Sequence, residues 1–346
     1  MKSKAGTTIL GFILLHLMHW LLMKFLFSIL FVLSADSVCA QLTYETLFVD
    51  YDSAFTYKNL KIIPIRQKDN GYGGVIGIPK VMSLNEAIKN GIAKITERGT
   101  ASTENVHWLR INNNSDSSIY VGSGEIIAGG RQDRMVMHDT ILPPSKKDQY
   151  IPVMCVEEDR WSDKEKPFIY SGFANSHLRK ILDSTKNQVQ IWREIDYQLE
   201  HGHINSKSLA YLSQRDPIEE SKKEKRRKKK GLLPEFHLGD DYLSYFLNRF
   251  KSTDTSVVGM VCVSGNAILG SDIFAAVNLF NGQLAPLLRG YIDDALLFGG
   301  LVSLPNDEVR KYMDKILTDE KSQEEFVNKN GKIFRDGKQV IHINTF

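Results

Sequence analysis

Thirteen residues, Gly122 to Arg134, combine four glycines with one glutamate, one glutamine, one aspartate and two arginines. Glycine costs chain entropy and belongs where the backbone turns tightly or lets another group approach closely. On an extended segment side chains alternate, so Gln132 and Arg134 share a face. A guanidinium there offers a fork of donors matched to a carboxylate or a phosphate. Glu125 would position a water or a sugar hydroxyl, or serve as a base. Glu125, Gly129, Gly130, Gln132 and Arg134 are therefore the first candidate site, for a small polar or anionic ligand. The same residues also suit a buried Glu–Arg pair whose neighbouring amide satisfies a turn. The glycines come after a strand without opening a helix, which separates them from a dinucleotide-binding GxGxxG loop.

A second constellation is Cys155, Glu157, Arg160 and Trp161. A thiol becomes a nucleophile when a base or a positive neighbour stabilises its thiolate. None stands beside Cys155 in its own stretch, and His138 or His177 would have to reach it through space. A core thiol next to a structural ion pair is the competing reading. Glu125, Glu157 and Cys155 are the catalytic candidates, with the reaction unknown. Asp272, Arg289 and Tyr291 form a third group. An aspartate just past a strand commonly caps the next segment of chain, and residues two apart on a helix face different ways. Asp272, Tyr291 and Arg160 join the ligand-binding candidates. His201-Gly-His203 lacks nearby carboxylates or thiols and makes a poor metal site, so neither a metal nor another cofactor is expected.

These groups need elements to hold them. Leu60–Ile65, Val106–Ile111, Ile119–Val121, Met135–Leu142 and Tyr150–Val156 are rich in β-formers and bounded by turn residues, and read as strands. Ser83-Leu-Asn-Glu86 is a capping box that opens a helix, and Asn90-Gly91 stops it. Val189, Trp192, Ile195 and Leu199 recur at helical spacing, with an end near His201-Gly202. Further helices are expected over Asp240–Lys251, Leu284–Leu297 and Asn306–Leu317. Ser264-Gly-Asn266 joins two strands into a hairpin, and Arg335-Asp-Gly-Lys338 joins two more at the end of the chain. Strands, then helices, then strands again predict an α+β fold: antiparallel sheets in a β-rich N-terminal half, helices packed against it, one compact unit.

The first forty residues read as an address. An apolar run from Ile9 to Leu33 precedes Val38 and Ala40 at the −3 and −1 positions of a signal-peptidase site, and Met23 would give a more compact signal. Cleavage after Ala40 would make the protein secreted or periplasmic, and not integral to a membrane. The mature chain keeps Cys155 and Cys262, and nothing in their spacing demands a bridge. The formal net charge of +3 hides an asymmetry: Lys222–Lys230 carries eight positive charges and one negative, leaving a body near −6. That run, inside an insert at about 215–235, is expected to be a solvated loop. Its alternative is docking on an anionic surface. Without interleaved aromatics it makes no specific nucleic-acid site.

Five ordered blocks carry a family resemblance: Gly124–Arg134, Ile151–Trp161, Gly270–Phe274, Leu287–Tyr291 and Val340–Phe346. Together they resemble the ADP-ribosylglycohydrolase- and rhodanese-phosphatase-associated protein domain over about residues 42–346. The resemblance implies the fold, the importance of these blocks and a loose link to ADP-ribose or phosphate metabolism, but no settled activity. Three functions are open at this point: a binding domain for a polar or anionic ligand, a hydrolase of a phosphate- or ADP-ribose-like substrate, or a structural protein of the cell envelope.

Overall fold

A computed structural model describes residues 41–68, 81–99, 106–145, 147–158, 160, 165–206, 208–215, 238–250 and 254–346. The amino-terminal forty residues, Trp161 and the Lys222–Lys230 run lie outside them. The described residues of the body from Ala40 onward form seven α-helices and sixteen strands, an α+β fold in antiparallel sheets as expected. Pairing is antiparallel throughout except between two short strands, β4 (Val81–Ser83) and β7 (Ser118–Val121).

The largest sheet draws on both ends of the chain. Its order runs β1 (Leu47–Val49), β3 (Leu60–Gln67), β13 (Val257–Ser264), β14 (Ala267–Phe274), β16 (Gln339–Thr345), β15 (Gly331–Asp336), with β2 (Phe55–Tyr57) beside β3. Both expected hairpins are present, β13 with β14 and β15 with β16. All eight residues of β13 are buried, because helices cover both faces of this sheet. On one side α5 (Val277–Phe298) and α4 (Asp240–Arg249) pack Leu287, Leu288, Ile292 and Phe246 against Leu60, Met260 and Phe274. On the other, α6 (Asn306–Leu317) and α7 (Glu320–Asn330) set Val309, Met313 and Val327 against Val261, Ile273 and Ile343.

A second sheet has the order β12 (Lys166–Phe173), β8 (Glu125–Gly130), β9 (Arg134–Val136), β11 (Gln149–Cys155), β6 (Trp108–Asn113), β5 (Ala93–Glu97). One of its faces meets α2 (Ser176–Thr185) and α3 (Gln188–His201) through Leu178, Leu182, Ile191 and Ile195. The other closes over Ile111, Ile127, Val136 and Val153, together with β7 and the capped helix α1 (Leu84–Lys89). The third sheet, β10 (Thr140–Leu142), β7 and β4, lies along that core.

Two elements depart from expectation. Met135–Leu142 is two strands in different sheets, β9 and β10, because the chain leaves the sheet between them. There Met137 donates its N–H to Pro152, and Asp139 turns inward to buried partners. α5 begins seven residues before Leu284 and runs through Pro286, although proline usually marks a helix start. Burial of Leu279, Phe280 and Gln283 holds the extra turns. Gly290 lets this helix touch the other layer: a Cβ there would stand 2.4 Å from the Ala174 carbonyl oxygen.

Candidate functional site

The β8–β9 hairpin sets Arg134 opposite Ile127, and β11 sets Cys155 opposite Arg134. Alternation then aims the Arg134 guanidinium between strands. Its Nη1 donates to Gln132 Oε1 at 3.0 Å and approaches Cys155 Sγ at 2.8 Å, while Nη2 lies 3.6 Å from Glu97 Oε2. The positive neighbour absent from the Cys155 stretch is thus supplied by an adjacent strand. Gln188 fixes the same strand end, accepting from Cys155 N–H and donating to its carbonyl. His177 is elsewhere, its Nδ1 2.8 Å from Asp294.

Glu157 and Arg160 join this end. Arg160 Nε lies 2.5 Å from Glu157 Oε2, and its Nη2 reaches Asp133 at 2.9 Å and the Gly129 carbonyl at 3.3 Å. Asp133 in turn accepts the Gly129 N–H at 2.8 Å. Burial, and then the Glu157 charge, push the Asp133 carboxyl upward in pKa against the pull of Arg160. Gly129 and Gly130 have φ values of +113° and +53°. Their missing side chains make room for β12: a Cβ on Gly129 would sit 2.3 Å from the Pro167 carbonyl oxygen, and one on Gly130 2.1 Å from Phe168 Cζ. Here the glycines serve the approach of one strand to another.

Glu125 does not join this cluster. Its Oε1 accepts from the Tyr170 hydroxyl at 3.1 Å, and its Oε2 meets no hydrogen-bond partner among the described residues. Complete burial pushes its carboxyl up to about 8. The Gln283 carboxamide stands close enough to oppose that rise, yet neither of its polar atoms makes a hydrogen bond of normal geometry among the described residues. The structure therefore divides the first candidate set, with Gln132 and Arg134 in one cluster and Glu125 in another. All three are at least nine-tenths buried: Glu125 and Arg134 at 0% exposure, Gln132 at 9%.

Between the two large sheets runs a buried ionic chain. His342 of β16 places Nδ1 3.0 Å from Asp139 and Nε2 3.0 Å from Asp272, and the Tyr120 hydroxyl contacts both Asp139 and His342. Arg179 of α2 takes Asp272 with two nitrogens, at 2.6 and 3.1 Å, and Tyr291 donates to the same carboxylate at 2.6 Å. Asp272 is thus a strand residue in an ion-pair network, not a helix cap. Burial opposes its charge, but Arg179 and His342 outweigh that and hold its carboxyl well below the usual range. Burial opposes the His342 charge too, and hydrogen bonds to the two aspartates raise it to about 9. His342 is then an imidazolium donating both N–H groups, and two carboxylates face two cations. Arg179 Nε is the one buried nitrogen of these side chains without a hydrogen-bond partner among the described residues, and the near balance of charge limits what burying the network costs. Arg289, on another face of α5 from Tyr291, pairs with Asp240.

Sequence reading missed His342, Arg179 and Asp139. A signal existed for one of them: His342 and Asn344 alternate with Ile341 and Ile343 along a buried strand, and a polar residue on such a strand requires a partner. Cys262 is also buried in β13, its thiol pushed up by burial, and no disulfide joins it to Cys155. No helix among the described residues is long and apolar enough to cross a membrane.

No curated protein and no solved structure matches the chain. The model of one family, described as the ARG and Rhodanese-Phosphatase-superfamily-associated Protein domain, matches residues 48–344. The Gly124–Arg134 hairpin, the ionic chain and the β16 histidine all lie within that span, and the chain belongs to this family.

Proposed function

We propose that the protein is a binding domain for a small polar or anionic ligand, held at the Arg134 end of β9 and β11. One observation carries this reading. Arg134 is buried, yet its Nε has no hydrogen-bond acceptor among the described residues, its Nη2 has only the Glu97 carboxylate at ion-pair distance, 3.6 Å, and Arg160 Nη1 has no acceptor either. A buried polar group without a partner costs about 1–3 kcal/mol, more when charged. Under-used N–H groups on two neighbouring guanidinium groups suit an oxyanion, whose charge-assisted bonds would offset that cost. Gln132 steers Arg134, and Arg160, with 24% of its side chain exposed, is where the cluster meets solvent. A ligand would reach Arg134 by displacing Arg160 from Glu157.

Thermal unfolding of the mature protein with inorganic phosphate, ADP-ribose and a neutral sugar tests this. A ligand at about 100 times its dissociation constant stabilises by about 2.7 kcal/mol, and Arg160→Gln and Arg134→Met should each remove the shift. A midpoint that no anion moves, or a shift that both variants retain, would refute the site. Export belongs to the same reading: the mature protein should begin at Gln41, outside the cytosol, and amino-terminal sequencing of cell fractions checks it.

A further inference from the structure

A cavity of about 290 Å³ opens where the end of α3, the 3₁₀ turn Tyr211–Arg215 and the last turns of α5 meet. Ile204, Leu238, Leu296 and Leu297 supply apolar walls, and His201, Gln214 and Asp293 supply the polar groups. The Asp293 charge is already engaged. Its Oδ2 accepts from the Tyr211 hydroxyl at 2.7 Å and from Arg215 Nε and Nη2 at 2.9 and 2.7 Å. Arg215 also donates to the carbonyls of Ser171 and Phe173. These contacts clamp the 3₁₀ turn onto α5 and fix the residue between them, Gln214.

Gln214 is the anomaly. It is 5% exposed, and neither its Oε1 nor its Nε2 reaches a hydrogen-bond partner among the described residues. Burying an amide unpaired costs free energy that an isosteric methionine would avoid. A carboxamide presents an acceptor and a donor side by side, and its complement is an edge with donor and acceptor at the same pitch. A cis-amide in a ring has that edge. Arg215 pairs with Asp293 at 2.7 Å, so the carboxylate in this cavity already has its counter-charge, unlike the guanidinium site at Arg134. The cavity volume lies just under the range of about 300–1,000 Å³ common for small-molecule sites, which suits one ring system.

We infer that this cavity binds a neutral, flat heterocycle with a cis-amide edge, a nucleobase or a related lactam. Gln214 reads that edge and the leucines enclose the ring. Uracil, hypoxanthine and 2-pyrrolidone are the probes, titrated into the full mature protein at up to millimolar concentration by calorimetry and ligand-observed NMR. At least one should bind to the wild type. Gln214→Met should weaken it about tenfold or more, the equivalent of roughly one net hydrogen bond. Leu297→Trp, which fills the cavity, should abolish it. Without probe, Gln214→Met should unfold at a higher temperature than the wild type, because the unpaired amide is gone. No binding by any of the three would overturn the inference. So would binding that survives Gln214→Met, or binding lost in Arg134→Met but kept in Leu297→Trp, which would put the probe at the other site. A lower midpoint for probe-free Gln214→Met would also overturn it, by making the amide a structural contact.

Discussion

Glu125 offers the most direct measurement of what burial does in this protein. Its carboxyl ordinarily titrates near 4.5 and is raised to about 8 in the fold, where desolvation opposes the charged form. Between those two values the native state holds a proton that the unfolded chain has released, so stability falls as pH rises. Each pH unit in that window costs about 1.4 kcal/mol. The accumulated cost is about 1 kcal/mol at pH 5 and about 3 kcal/mol at pH 7, approaching 5 kcal/mol above pH 8. Glu125→Gln keeps the shape and the acceptor for the Tyr170 hydroxyl while removing the titration. The variant should match the wild type closely at pH 5 and unfold at the higher temperature at pH 7, by roughly 5 °C. Urea unfolding of both proteins across pH 5 to 8 gives the gap directly. A gap that stays constant with pH would show that Glu125 ionises freely in the native state, and would refute the assignment of its environment as sealed.

Two further outcomes are expected of the buried network and the glycine hairpin. His342 has its pKa raised from 6.5 to about 9, so its contribution is complete below about pH 6.5 and disappears as pH rises through about 9. His342→Gln should lose about 3–5 kcal/mol at neutral pH by leaving Asp139 and Asp272 short of a cation. It should also flatten the alkaline limb of the stability profile, and an unchanged limb in urea titrations would contradict the ionic chain. Gly130→Ala places a methyl group 2.1 Å from Phe168 and 2.5 Å from Glu97 at φ +53°. Strain and overpacking together should cost about 2–5 kcal/mol in chemical unfolding, and a cost under about half a kcal/mol would mean that β12 is not held against the hairpin.

The α+β class, the hairpins at Ser264-Gly-Asn266 and Asp336-Gly337, the capped helix after Ser83 and the helix ending at His201 were legible in the sequence. Each depends on turn chemistry, capping or periodicity within a few residues. Gln132 does meet Arg134, but from the bend between β8 and β9 rather than along one strand, so strand alternation is not what brings them together. The partners of those side chains were not legible. Arg134 meets Cys155 only because the β9–β11 register puts them opposite each other. Arg179 meets Asp272 across 93 residues, and His342 meets Asp139 across 203. Contacts of that span arise from how sheets and helices stack, which local pattern does not encode. The glycine pair was visible as an unusual backbone, but only packing revealed that its space is taken by Pro167 and Phe168. Whether a polar side chain faces water, a counter-charge or nothing at all is decided by the layers that close over it. The tertiary structure therefore separated Glu125 from Arg134, and it left Gln214 unpaired beside a cavity.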